Sequence, residues 1–106
     1  MEGYRMVYRN KYMAVFRKQK RIIVRNMRQE FEYHSHVDSE RVAKTICNNV
    51  VNKKFPKTRN HWLLISHIRV SDDPEYTKKI EKLLEVRRDK GKKYFYNVSG
   101  RERILT

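Results

Sequence analysis

The first 25 residues contain three short hydrophobic stretches separated by pairs of polar residues, and this spacing limits the fold more than any other feature. Residues 4–9, 12–18 and 21–25 each favour a β-strand, because their apolar side chains alternate with basic ones or are β-branched. Only the pairs at 10–11 and 19–20 separate them. Since so short a connection joins antiparallel neighbours, the sequence predicts a three-stranded antiparallel meander.

Two helices are predicted after the meander. The first begins near Asp38, whose carboxylate suits an N-cap, and ends near residues 52–54, ahead of a proline. The second has Asp73 as its N-cap and Pro74 as its first residue. Gly91 suits the position that follows its last turn.

The remaining apolar segments are predicted as strands. Residues 61–70 do not alternate strictly, which favours a central strand covered on both faces, and residues 92–98 favour a final strand. Residues 28–36 either extend the third strand or form an edge. With no repeat or linker, residues 1–106 are expected to form a single basic α+β domain. Its order is β-β-β-α-β-α-β, a mainly antiparallel sheet with two helices packed on one face.

The chain carries 26 lysines and arginines against 12 acidic residues, a formal net charge of +14. Such an excess repels itself and destabilises the compact state, so it indicates a polyanionic partner. Nucleic acid, either DNA or RNA, is the first expectation for so basic a domain. An acidic protein partner is the second. A membrane is not expected, because the longest strongly apolar run covers only residues 62–65, far short of the roughly 20 residues of a spanning helix.

The positive charge is concentrated in the predicted meander, since residues 1–30 hold nine basic and two acidic residues. Cationic strands can neutralise a phosphate backbone, and a β-ribbon can enter a major groove. A second basic cluster follows the first predicted helix, where loops commonly position a backbone. The candidate nucleic-acid-binding residues are Arg5, Arg9, Arg17, Lys18, Lys20, Arg21, Arg25, Arg28, Tyr8, Tyr12, Lys53, Lys54, Lys57 and Arg59.

The tyrosines of the meander have two interpretations. Strict alternation places Tyr4, Met6 and Tyr8 on one face of the first strand. Aromatic side chains exposed among bases could stack unpaired nucleobases. Alternatively, the tyrosines cover the core and keep their hydroxyl groups at its edge. Because both faces of the meander contain apolar residues, the sequence leaves open which face is exposed.

The sequence contains no motif that selects an enzyme. A phosphate-cradling glycine-rich loop, a nucleophile elbow and paired carboxylates are all missing, and no cofactor or metal is predicted. With the single cysteine Cys47, the chain cannot form an internal disulfide or a four-cysteine zinc site. This cysteine content is typical of a reducing intracellular compartment, such as the cytoplasm.

A non-catalytic nucleic-acid-binding protein is therefore the function that the sequence favours. One alternative is a protein-interaction module, or an inhibitor that docks on an acidic partner or in the substrate groove of a nucleic-acid enzyme. Another is a small metal-independent ribonuclease, in which His34, His36 and Tyr33 would supply an acid and a base. A basic domain this compact and free of motifs would also suit a phage or mobile-element factor.

Overall fold

The computed structural model describes residues 2–29, 33–88, 94–96 and 102–104. Four strands form one antiparallel sheet in the order β1-β2-β3-β4: β1 (Arg5–Arg9), β2 (Met13–Lys18), β3 (Arg21–Asn26) and β4 (His34–Val37). Three helices follow: α1 (Glu40–Asn52), α2 (His61–Val70) and α3 (Pro74–Arg88). Two short strands, β5 (Tyr94–Tyr96) and β6 (Glu102–Ile104), pair in a separate antiparallel sheet. The predicted α+β class and the meander are confirmed.

The sheet gains a fourth strand from the segment that the sequence left undecided. β4 pairs antiparallel with β3, and Val24 lies opposite Ser35. The turn between β2 and β3 consists of residues 19–20, as predicted, and Gln19 adopts a left-handed φ of 53°. The four strands therefore follow one another along the chain and across the sheet.

Helix α1 begins one residue later than the predicted cap would place it. The N-cap is Ser39, whose Oγ accepts a hydrogen bond from the backbone N–H of Val42 at 3.1 Å, so the prediction of Asp38 is wrong. The end at Asn52 agrees with the prediction. Lys53 then closes the helix with a left-handed φ of 54°.

Residues 61–70 form helix α2, and the prediction of a buried strand there is wrong. Asn60 caps the helix, because its Oδ1 accepts hydrogen bonds from the N–H groups of Trp62 and Leu63 at 2.9 and 3.2 Å. Seven of the ten helical residues are buried. A helix that is buried on nearly all sides has no polar stripe, so its sequence lacks the helical periodicity and resembles a central strand.

Helix α3 begins as the sequence predicts. The Oδ1 atom of Asp73 accepts hydrogen bonds from the N–H groups of Glu75 and Tyr76 at 3.0 and 3.3 Å, and Pro74 is the first helical residue. The predicted end at Gly91 lies outside the described residues, as does most of the predicted strand 92–98. The described part of that strand is β5, which belongs to the small second sheet.

Helices α1 and α2 pack on one face of the four-stranded sheet, and α3 packs against α2. The core between them includes Val15 and Val24 from the sheet, Ile46 from α1 and Leu64 from α2. Two buried hydrogen bonds tie α2 to the sheet: Asn26 Nδ2 to the Val70 carbonyl at 2.9 Å, and Ser35 Oγ to Ser66 Oγ at 2.7 Å. One face of the sheet is thus covered by helices, as predicted, but the two helices on it are α1 and the unpredicted α2, and the predicted α3 packs on α2.

The three helices within the described ranges contain 13, 10 and 15 residues. None of them is both long enough and apolar enough to cross a bilayer.

Candidate nucleic-acid interface

The face of the four-stranded sheet that points away from α1 and α2 is called the outer face here, and the opposite face the helical face. Residues directly opposite each other in the strand register share a face. The register arranges the outer face in three rows that run across the strands. The upper row contains Lys18 and Arg21; the middle row contains Met6, Phe16, Ile23 and His36; the lower row contains Arg9, Ala14, Arg25 and His34.

The rows differ in chemistry. The middle row is apolar and aromatic, and cationic side chains occupy the rows above and below it. Met6 is 44% exposed, whereas Ile23 and Ala14 are buried and lie outside the main core. Successive rows are about 6.6–6.8 Å apart, because two residues of a strand separate them. The outer face is therefore an apolar band between two basic bands roughly 13 Å apart.

The charge of the sheet is of one sign. Strands β1–β4 contain six lysines and arginines and neither aspartate nor glutamate. Arg9, Lys18 and Arg21 are exposed, and Arg25 is partly buried. The ammonium of Lys18 also lies 5.9 Å from the centre of the Tyr4 ring, which adds an aromatic surface to the upper row. Lys20 is exposed in the turn beside this row.

Two histidines end the middle and lower rows on β4. The rings of His34 and His36 meet edge to face, with their centres 5.2 Å apart. Partial desolvation by neighbouring atoms lowers the pKa of the exposed His36 below its usual value, and the nearby His34, Arg21 and Arg69 lower it further. The charges of Arg21 and of Arg69, which belongs to α2, therefore both act on this corner of the sheet.

A β-bulge in β1 changes which aromatic residues reach the outer face. The register shifts between Met6 and Tyr8, so Val7 is an extra residue and Tyr8 lies opposite the core residue Val15. The prediction that Met6 and Tyr8 share a face is therefore wrong. The hydroxyl of Tyr8 donates a hydrogen bond to Asn48 Oδ1 of α1 at 3.0 Å.

Tyr8 and Tyr12 are partly buried and pack against the core. This placement matches the second of the two interpretations that the sequence left open, in which the tyrosines cover the core. Phe16, in contrast, lies on the outer face and is partly exposed. The aromatic ring in the middle row is thus a phenylalanine that the predicted binding set omitted.

Two predicted binding residues, Arg17 and Arg5, lie on the helical face, and Arg17 is paired there with an acidic residue. Arg17 Nη1 lies 2.7 Å from Glu40 Oε1, and this hydrogen bond lowers the pKa of the Glu40 carboxyl group. Arg5 lies opposite Arg17 in the register and so shares this face. The tight pairing of Arg17 connects the sheet to the first turn of α1, which is a structural role.

Two further cations of the predicted set are paired with the segment before α3. Arg28 Nη1 lies 3.4 Å from Asp72, and its guanidinium group lies 5.0 Å from the centre of the Tyr12 ring. Lys53 Nζ lies 3.0 Å from Asp73, and this hydrogen bond is the main cause of the lowered pKa of the Asp73 carboxyl group.

The second predicted basic cluster is separate from the outer face. Lys54, Lys57 and Arg59 are exposed in the loop between α1 and α2, both of which pack on the helical face. The carbonyl of Lys54 accepts a hydrogen bond from the hydroxyl of Tyr76 at 2.8 Å, which attaches this loop to α3. The predicted binding residues therefore lie on two separate surfaces, one on the outer face of the sheet and one on the helical side.

A cleft of about 600 Å³ lies beside the lower row, between the segment after β3 and the start of α3. Arg25, Arg28 and Arg69 line it, together with Asp72 and Asp73. The two carboxylates reduce its attraction for a polyanion. The outer face, whose strands carry no acidic residue, is the more uniformly cationic of the two surfaces.

The described part of the chain contains four histidines and one cysteine. No group of three or more histidine, cysteine, aspartate or glutamate residues there could hold a metal ion. Burial raises the pKa of the Cys47 thiol to about 12, so this residue is unsuited to nucleophilic chemistry. Comparison of the chain with protein-family models, curated proteins and solved structures finds no match in any of them.

Proposed function

We propose that this protein is a non-catalytic nucleic-acid-binding domain whose outer face contacts the phosphate backbone of DNA or RNA. One observation carries the proposal: strands β1–β4 hold six lysines and arginines and no acidic residue. The ion pairs that join described residues to one another include those of Arg17, Arg28 and Lys53. Arg9, Lys18 and Arg21 of the outer face belong to none of these pairs.

The physical basis is the release of counterions from the phosphates. Each neutralised phosphate lowers the logarithm of the binding constant by about 0.9 for each tenfold rise in salt concentration. The basic residues of the outer face and the adjoining turn are Arg9, Lys18, Lys20, Arg21 and Arg25. If all of them contact phosphate, the slope reaches about −4.5 for duplex DNA. The affinity is then strongly dependent on salt and weakly dependent on sequence.

Two triple variants with the same change in net charge test this surface. The first is Arg9→Glu, Lys18→Glu and Arg21→Glu on the outer face. The control is Lys78→Glu, Lys79→Glu and Lys82→Glu, three exposed residues of α3. The affinity is measured by fluorescence anisotropy with a 20-nucleotide probe at two salt concentrations, and circular dichroism verifies the fold.

We expect the outer-face triple to weaken binding by at least about 100-fold and to reduce the salt slope by about 3, because it removes three phosphate contacts. The α3 triple is expected to change the slope by less than about 1. Equal losses in the two triples would show that net charge, not this face, determines binding. A wild-type protein that binds neither DNA nor RNA at low salt would overturn the proposal, and a pull-down that survives nuclease treatment would favour an acidic protein partner.

The histidine pair provides a specific reason to test for a metal-independent ribonuclease. The ring centres of His34 and His36 lie 5.2 Å apart, and the charge of Arg21 acts on His36. An acid, a base and a cation near a bound phosphate are the groups that such cleavage needs. RNA cleavage that persists in EDTA and disappears in His36→Ala would establish this activity. Intact RNA after prolonged incubation at high protein concentration would exclude it.

A further inference from the structure

We infer that the outer face binds single-stranded nucleic acid, with unpaired bases on the middle row and backbone phosphates on the basic rows at either side. This inference rests on the proposed function and specifies its ligand. Phosphate binding alone would require only the cations of the upper and lower rows. The apolar middle row requires a ligand that also presents an apolar surface.

Three of the four side chains of the middle row are at least partly exposed. Met6 is 44% exposed, Phe16 is partly exposed and His36 is exposed, whereas Ile23 between them is buried. Helices α1 and α2 pack on the opposite face of the sheet. A duplex presents phosphates and sugars on its outside and keeps the faces of its bases stacked within. An unpaired base presents its π-face, which stacks on aromatic side chains and is favourable for every base.

The dimensions of the face are the second argument. Neighbouring strands are about 4.7–4.9 Å apart, so a row that crosses four strands spans roughly 14–15 Å. An aromatic surface on a four-stranded sheet can stack two or three unpaired bases. The basic rows lie about 6.6–6.8 Å from the middle row, within reach of the long side chains Lys18 and Arg9. Bases and phosphates of one flexible strand can thus contact their respective rows at the same time.

Substitution of Phe16 separates stacking from phosphate binding, because it alters no charge. Phe16→Leu keeps an apolar side chain and removes the ring, whereas Phe16→Tyr keeps the ring. The probes are a 20-nucleotide RNA, the DNA strand of the same sequence and the corresponding DNA duplex. Anisotropy titrations at two salt concentrations measure the affinity and the salt slope for each variant.

We expect the wild-type protein to bind the single strands more tightly than the duplex. Loss of base stacking costs about 1–3 kcal/mol per base, so Phe16→Leu should weaken single-strand binding about fivefold or more. Duplex binding should change less than about twofold, and the salt slope should remain that of the wild type. Phe16→Tyr should retain most of the affinity.

A second variant guards against a loss of folding, because Phe16 is partly buried. Met6→Ser alters a more exposed member of the same row, and it should also weaken single-strand binding selectively. Equal losses for single strand and duplex, or a preference of the wild-type protein for duplex, would overturn the inference and leave the proposed function in place. Absence of binding to every probe would instead remove the proposed function itself.

Discussion

The two faces of the four-stranded sheet contain similar kinds of side chain in different surroundings. Arg17 of the helical face lies 2.7 Å from Glu40 and holds α1 against the sheet. Arg21, across the turn on the outer face, is exposed, and its charge contributes to lowering the pKa of His36. The comparison shows that the number of cations in a segment does not identify a binding surface. The acidic residues that the fold brings to each cation decide whether it remains available to a ligand.

The aromatic residues of the two faces show the same contrast. Tyr8 packs against the core and donates a hydrogen bond to Asn48, so both parts of its side chain have partners within the protein. Phe16 lies on the outer face among cations. The helical face therefore uses its aromatic residue for packing, and the outer face leaves a ring available for stacking.

The largest expected effect concerns two neighbouring residues on opposite faces of β2. Val15 is fully buried in the core, so Val15→Ala should lower the free energy of unfolding by about 2–3 kcal/mol through lost apolar burial and a cavity. Phe16→Leu should lower it by less than about 1 kcal/mol, because it retains most of an apolar side chain outside the main core. Urea denaturation measures both. Similar losses in the two variants would mean that the outer face is part of the structural core.

The next effect is the pH dependence of binding through His36. Its pKa lies below 6.5 because of partial desolvation and of the positive charges of His34, Arg21 and Arg69, so the residue is mainly neutral at pH 7.5. A bound phosphate favours the protonated form, and acidification therefore adds a cation to the interface. Wild-type affinity should rise about two- to fivefold between pH 7.5 and 5.5, the range of an exposed ion pair. In His36→Gln the rise should be smaller, and an unchanged pH profile would exclude His36 from the contact.

The helical side provides the control for this experiment. Acidification should lower its stability through His67, whereas it should raise the affinity of the outer face through His36. His67 is 2% exposed, and burial lowers its pKa below 6.5. A neutral ring fits its contacts, in which Nδ1 donates to the Leu63 carbonyl at 2.7 Å. Since the unfolded chain binds the proton more tightly, the stability due to His67 is complete above pH 6.5 and declines as the pH falls towards its folded pKa. Circular dichroism at each pH separates this loss of stability from binding.

The sequence predicts the parts of the fold that depend on neighbouring residues. The two-residue turns specify the meander, and the carboxylate of Asp73 followed by Pro74 specifies the start of α3. It fails at residues 61–70, because a helix buried between the sheet and α3 has no polar stripe to reveal its period. Because of this error, the sequence-based prediction missed Arg69, whose position on α2 brings its charge close to His36.

The candidate site is less predictable than the fold, because it depends on register and on distant partners. The bulge at Val7 reverses the face of Tyr8, and no local pattern indicates that extra residue. Arg17 and Arg21 are equally basic in the sequence, and only the approach of Glu40 distinguishes them. Strand alternation could have identified Phe16 as a member of the face opposite Val15, once the position of the helices was known.

The smallest expected effect tests whether the helical face contributes to binding at all. Glu40→Gln removes the charge that pairs with Arg17 and leaves that arginine with a neutral neighbour. If only the outer face binds nucleic acid, the affinity for a single strand at low salt should rise less than about twofold, through long-range attraction alone. Asp72→Asn is a matched variant, because it removes the partner of Arg28 in the cleft beside the lower row. A gain of more than about fivefold in either variant would mean that these cations reach the ligand once released, and the two faces would then form one continuous interface.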